Sequence, residues 1–402
     1  MKLFGRFTFE QISNFLRRPL EVVVLRYLLM FIILSPTAMY LVWLVSPKQR
    51  LNIILVDKSV PEENRIEHAA INWVFTHERI VNERDELYQK KLDYYGFFPR
   101  PGGDYVVKDF SPFDSLHLDS LAAVSDILYL ADTYGVFAHN YGVEQSKPNH
   151  LLYGGLNWSD LALIQAMRAS DKLIIGEFSL FAAPTSRGVR DSLEVILGLE
   201  WQGWVGRYFI SLDSTANEAL PGWVVKLYQE EHGPVWPFRD SGVVLVKGSE
   251  IVILEYGTHL NLEVPFIETQ PVYAAQYDLP GSVNYPFWFD IVTAPHAENQ
   301  IVSIFHLPVN ARGDSLLALH RIPKFFPAVL RAGPGEHPFY YFAGDFSDNP
   351  VPEFAAYLKG VSWFQSFFYH RNQMDDRSQF FWTYYRPLLR SILETEIQRT
   401  KR

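Results

Sequence analysis

Residues 27–46, YLLMFIILSPTAMYLVWLVS, carry no charged side chain, and the run closes at Pro47, Lys48 and Arg50. At a rise of ~1.5 Å per residue, about 20 such residues in a helix cross the roughly 30 Å hydrocarbon core of a bilayer. A secretory signal has a shorter apolar core and a small-x-small cleavage site. Ser46, Pro47, Lys48, Gln49 and Arg50 supply no such site. A helix buried in a soluble body is the other reading. Against it, Arg26 and Lys48 bracket a run that only Ser35 and Thr37 make polar. The run reads as one transmembrane helix tethering a globular part. Ser35-Pro36 predicts a kink, which lipid-embedded helices tolerate.

Lys2, Arg6, Arg17, Arg18 and Arg26 precede the span, and Lys48, Arg50 and Lys58 follow it. The excess on the N-terminal side places the N-terminus in the cytoplasm and the globular part on the outer, periplasmic or extracellular, side. Residues 1–26 then form a cytoplasmic or interfacial segment. Phe9, Ile12, Phe15 and Leu16 beside Arg17 and Arg18 suit a short helix on an anionic leaflet, and equally a solvated tail.

Of 402 residues, enough follow the span for one large domain or two modest ones. The net charge is −9 with both signs interspersed, which argues against nucleic acid as a partner. There is no cysteine, so disulfides, zinc–thiolate sites and thiol nucleophiles are all excluded. Aromatic residues make up 15% and are spread along the chain. They mostly fill cores, and they also supply stacking platforms for sugars.

Strand and helix patterns alternate after the span. LNIILVD (51–57) reads as a first buried strand ending in Asp57, followed by a helix over PEENRIEHAAINWVFTHERIV with Pro61 in its first turn. Residues 82–118 read as an irregular aromatic excursion over the surface. SDILYLADTYG (125–135) is a second strand ending near Asp132, and Asn157 or Ser159 caps the helix that follows. KLIIGEF (172–178) is a third strand ending at Glu177, and the next helix closes at Gly198. GWVGRYFISLD (203–213) is a further strand, ending at Asp213. This alternation implies βαβ units and a mostly parallel sheet. Beyond about residue 235, SGVVLVKGSEIVILEYG reads as a hairpin, and QIVSIFHLP and HPFYYFAGDF add strands that extend the sheet with an antiparallel edge. No linker interrupts residues 51–360, which read as one domain. Residues 361–402 close the chain with an amphipathic aromatic helix, Phe381, Trp382, Tyr385, Leu388, Leu389 and Ile392 on one face and Pro387 offsetting it. Packing on its own domain is the favoured place for that face, with the membrane surface or a partner as the alternative.

The order SDILYLADTYG, then GGLNWSDLALIQAMRASDKLIIGEFSLFAAPT, then YYFAGDFSDN, with Phe326-Pro327-Ala328-Val329 before it, resembles the class I glutamine amidotransferase-like superfamily. The likeness is to its cysteine-less, membrane-associated relatives. It covers roughly 51–135, 150–215 and 300–350. It implies a three-layer, flavodoxin-like α/β fold with an elbow residue after the third strand. Active members carry a cysteine at that elbow. Here it reads Gly176-Glu177-Phe178-Ser179, and Ser179 lacks the G-x-S-x-G frame of a serine elbow. The resemblance therefore implies a member without glutamine hydrolysis. His296-Ala297-Glu298 is the one literal His-x-Glu pair, and it precedes a strand where the family's pair follows one.

In open α/β sheets ligands bind beyond the carboxyl ends of the strands. Acidic residues occupy nearly every such end: Asp57, Asp132, Glu177, Asp213, Glu255 and Asp345. Converging carboxyls can share a proton and separate in pKa, or hold a cation through hard oxygens. Glu177, Asp57, Asp132 and Asp345 are the candidate catalytic residues. Tyr134, Glu177, Arg207, Asp213 and Glu255 are the candidate ligand-binding residues. Each of these acids could instead cap a helix or pair with Arg187, Arg190 or Arg207. His68, His77, His259, His306 and His320 show no metal-ligand spacing, and no metal or cofactor is expected. The first functional expectation is a non-catalytic envelope protein binding a glycan or a protein partner beside the bilayer. The second is a carbohydrate-active hydrolase pairing Glu177 with Asp57, Asp132 or Asp345. A third is a subunit of a membrane complex.

Overall fold

The computed structural model describes residues 19–138, 150–335, 337–370 and 372–401, with side chains from residue 24 onward. The expected interfacial helix over the first residues lies almost wholly outside them. The first described element is one continuous helix, Pro19–Val45, with Pro36 inside it. Its part from Val24 to Val45, 22 residues, is long and apolar enough to cross a membrane, and the rest of the chain leaves it almost wholly uncovered. A core helix of a soluble protein would be covered.

Ten strands form the large sheet, in the order Ser282–Asn284, Phe266–Thr269, Gln300–His306, Phe325–Arg331, Phe339–Phe342, Leu173–Gly176, Ile127–Asp132, Ile53–Asp57, Tyr95–Pro99, Tyr105–Lys108. The five central strands, from Phe339–Phe342 to Tyr95–Pro99, run parallel. Their near-continuous apolar sequences suit strands buried on both faces. The wings are antiparallel, and on one side they amount to four strands rather than an edge. On the other side, Tyr95–Pro99 and Tyr105–Lys108 form a hairpin around Pro101-Gly102-Gly103-Asp104. The aromatic stretch expected to wander over the surface is therefore partly sheet.

The strand ending near Asp213 does not join this sheet. Glu200–Phe209 pairs antiparallel with Gly242–Lys247 and with Trp288–Thr293, and Glu250–Glu255 completes a separate four-stranded sheet. The expected hairpin is in that sheet, turning at Gly248 with φ +60°.

Helices Ser115–Val124, Trp158–Ala169 and Arg187–Leu197 pack in succession, while Ala69–His77, Pro271–Tyr277 and Arg386–Thr400 form a second group. Asn157 caps its helix through a reciprocal capping box with Asp160. Gly198 ends its helix in the left-handed region. Phe381, Trp382, Tyr385, Leu388, Leu389 and Ile392 are buried in the same core as the central strands. Ahead of Pro387 the chain takes one π-helical turn, Phe381–Tyr385, which turns Tyr384 and Tyr385 inward.

Candidate functional site

Three parallel strands deliver acids to one end of the sheet: Asp57 and Asp132 end theirs, and Glu177 follows Gly176. Asp345 follows the fourth, Phe339–Phe342. Asp57 is fully buried; its Oδ1 accepts from the amide of Ser59 at 3.0 Å, and its Oδ2 lies 2.6 Å from His68 Nδ1. The helix expected to start near Pro61 begins only at Ala69. Arg65, at φ +51°, and a 3₁₀ turn at Ile66–His68 precede it and point His68 back at the strand end.

Asp132 accepts from the Ser179 hydroxyl at 2.5 Å and from the Tyr134 amide at 2.8 Å. Ser179 occupies the elbow in the left-handed region, φ +70°. Its Oγ in turn accepts from the Thr133 amide at 3.2 Å. The elbow hydroxyl thus braces the neighbouring strand end.

Glu177 is fully buried as well. Its Oε2 accepts from the amides of Phe346 at 3.0 Å and Ser347 at 2.9 Å. Its Oε1 meets the hydroxyls of Tyr129 and, at 3.3 Å, Tyr385, which lie 2.8 Å from each other. Two hydroxyl protons cannot fill three contacts. The carboxyl supplies the third when it is protonated, and burial pushes it up to about 8 against the pull of its donors.

The remaining acids interact through space at the same end. Burial, and then the charge of Asp57, pushes Asp132 up to about 7. Burial, followed by Asp348, Asp132 and Glu177, holds Asp345 well above the carboxylate range. Two acids that the strand-end rule passed over belong here. Glu67 is pushed to about 9 by burial and then by Asp57, with Asp348 and Asp132 adding, and its Oε2 has no hydrogen-bond partner. Asp348 is raised by burial and by Asp57, while Arg377 pulls it down across 3.2 Å.

Two guanidiniums face this group. Arg377 lies over the Phe287 ring at 3.7 Å, and Arg207 is boxed by Phe209, Phe287 and Trp288 at 4.8, 5.1 and 5.2 Å. Burial and the nearby Arg377 lower Arg207 to about 10, and Asp348 and Asp345 oppose that shift. Glu67, Asp132, Asp348, Arg207 and Arg377 are half-buried, and the Tyr134 ring is exposed at the edge.

Asp213 and Glu255 are elsewhere. Asp213 accepts from Thr215 and faces Arg239 at 3.9 Å. Glu255 accepts from the amides of Arg239 and Asp240. Both belong to the ends of the four-stranded sheet, where they tie loops. Of the named candidates, Asp57, Asp132, Glu177, Asp345, Tyr134 and Arg207 come together. Sequence reasoning passed over Glu67, His68, Asp348 and Arg377. Asp348 was visible in the GDFSDN motif, whereas nothing local marks Arg377. Among the described residues, no group of three or more His, Asp or Glu has the geometry to hold a metal ion.

No protein-family model matches the chain, and no curated protein matches it. Among solved structures, a ThuA-like protein from Bacteroides uniformis is 9% identical, with a TM-score of 0.36 over 80% of this chain and 94% of its own. A glutamine amidotransferase from Thermotoga maritima is 10% identical, with a TM-score of 0.37 over 88% of this chain and 99% of its own. Likeness at that level assigns neither family nor activity.

Proposed function

We propose that this chain is a single-pass membrane protein of the cell envelope whose α/β domain binds a glycan or other polyhydroxylated ligand without cleaving it. One observation carries the reading: Asp57, Glu67, Asp132, Asp345 and Asp348 converge with Arg207 and Arg377 beyond the carboxyl ends of the parallel strands. Carboxyls held protonated both donate and accept hydrogen bonds, which suits sugar hydroxyls, and the exposed Tyr134 ring offers a stacking face. Glu177 has every acceptor position engaged by the protein itself, so its role is to position the Phe346–Ser347 loop. The two helix groups fit one layer on each face of the sheet, as in flavodoxin-like and amidotransferase-like folds. Residues 1–26 are then cytoplasmic, 27–46 span the bilayer, and 361–402 close the domain of 51–360 on the outer side.

Calorimetric titration of the full chain in detergent against soluble envelope oligosaccharides tests the reading. Saturable binding that Arg377→Gln or Asp348→Asn weakens at least tenfold is expected, and no binding across such a panel removes it. A hydrolase is the second reading, favoured by one observation: Asp57 and Asp132 end adjacent parallel strands in register, and burial followed by Asp57 raises Asp132 to about 7. New reducing ends appearing with the native chain and not with Asp132→Asn would establish it over the first.

A further inference from the structure

The C-terminal end of the apolar helix is not joined to the domain by a free linker. Trp43 is buried, its Nε1 donates to the Thr76 carbonyl at 2.9 Å, and its ring packs edge-on against Tyr357 at 4.9 Å. The amide of Lys359 donates to the carbonyl of Met39 at 3.2 Å. Met39 lies six residues before Val45, the last residue of the helix, which is roughly 9 Å along its axis. The chain around Tyr357–Lys359 is therefore held alongside the apolar helix, in its last two turns, short of its C-terminal end.

Two 3₁₀ turns flank that contact, Glu353–Tyr357 and Val361–Phe367. They present Phe354, Trp363, Phe364 and Phe367 to the outside, Trp363 at 88% and Phe367 at 83% exposure. Large aromatic side chains so exposed call for a cover. Trp and Tyr concentrate at membrane interfaces, where an amphipathic ring meets both apolar and polar surroundings.

We propose that Glu353–Phe367 is an aromatic foot that inserts Trp363 and Phe367 into the interfacial layer of the same bilayer leaflet from which the anchor emerges. The proposal rests on the anchor reading. The backbone contact to Met39 fixes the depth of the foot, and its occupant is lipid because the span that it grips is itself clothed in lipid.

The absence of cysteine makes a clean test possible in the full chain. Single variants Phe367→Cys, Trp363→Cys, Leu34→Cys and Val195→Cys are labelled with an environment-sensitive fluorophore and reconstituted into phosphatidylcholine–phosphatidylglycerol vesicles. The vesicles carry nitroxide either near the headgroup or deep in the acyl chain. Labels at 363 and 367 are expected to lose emission chiefly to the shallow nitroxide, and the label at 34 chiefly to the deep one. Val195, exposed on the Arg187–Leu197 helix, is the reference for a water-facing site, and its label keeps its emission. If 34 is quenched while 363 and 367 behave like 195, the foot is overturned and the anchor stands, leaving a protein partner as the cover. If 34 also escapes quenching, the anchor falls and the foot with it.

Discussion

His68 Nδ1 stands 2.6 Å from Asp57 Oδ2, while its Nε2 stands 2.9 Å from the carbonyl oxygen of Lys90. Both ring nitrogens face acceptors, and both side chains are fully buried. Either the ring carries two protons or Asp57 holds one of them. In both cases the pair is a single buried unit that neither member can leave without cost.

Removing one partner of such a pair strands the other away from water. His68→Ala is expected to lower unfolding free energy by about 3–5 kcal/mol. The double variant Asp57→Asn with His68→Gln, which replaces charge with neutral donors and acceptors, should recover a large part of that. Urea denaturation of the detergent-solubilised chain measures both. A loss below about 1 kcal/mol for His68→Ala would mean that the pair is not buried as described.

Lys58 and Asp160 form a second buried unit, Nζ to Oδ2 at 2.5 Å, and Nζ also donates to the Gly155 carbonyl at 2.9 Å. Lys58→Met should cost about 3 kcal/mol or more, since it leaves a buried carboxylate without its counter-ion. Asn at 160 keeps an acceptor for the Asn157 amide of the capping box. Adding Asp160→Asn to Lys58→Met should therefore restore stability, with a coupling energy of about 1–3 kcal/mol in the double-mutant cycle. Strictly additive losses would contradict the pairing.

Stability should fall as pH rises. Burial raises Asp132 to about 7, Glu177 and Asp290 to about 8, and Glu67 to about 9. In the unfolded chain all of these ionise near pH 4. Between pH 4 and 9 the folded protein thus holds more protons than the unfolded one, and by linkage the unfolding free energy decreases with each step upward. His77 acts oppositely: burial lowers it to about 4, so it removes stability as pH falls below about 6.5. Thermal melts should place the optimum in mildly acidic buffer. A Tm that rises from pH 6 to pH 9 would refute the shifted acids.

Glu177 isolates one of those terms. Glutamine reproduces the protonated carboxyl, with its carbonyl toward the Phe346 and Ser347 amides and its NH₂ toward the tyrosines. Glu177→Gln should cost under about 1 kcal/mol at pH 6 and flatten the alkaline loss, while Glu177→Ala, orphaning the two amides and one tyrosine hydroxyl, should cost about 3 kcal/mol. A glutamine variant as damaged as the alanine one would show that Glu177 is ionised in the folded state.

Three of the five parallel strands were legible because each is an apolar run that leads to an acid; Phe339–Phe342, expected in an antiparallel edge, and Tyr95–Pro99, expected as a surface excursion, were not, yet Asp57, Asp132, Glu177 and Asp345 do meet. The same rule misplaced Asp213 and Glu255. Their strands have the same apolar run and acidic end, but pair antiparallel in a second sheet, and partner choice is a long-range property that no local pattern carries. His68, Glu67 and Arg377 stayed hidden for a related reason. A turn, a late helix start and the closing segment bring them in from outside the strands. Around Tyr95–Pro99 the aromatic residues masked an ordinary hairpin whose Pro-Gly-Gly-Asp turn was in plain view.

Arg79 binds the carbonyls of Trp43, Leu44 and Ser46, and its own carbonyl receives the amide of Gln49, so the apolar helix and the sheet domain turn together as one lever. A membrane helix longer than the local hydrocarbon leans to fit. In a chain anchored as proposed, this stiff joint passes any lean on to the domain, so the thickness of the host membrane would set the tilt of the sheet end where the acids meet.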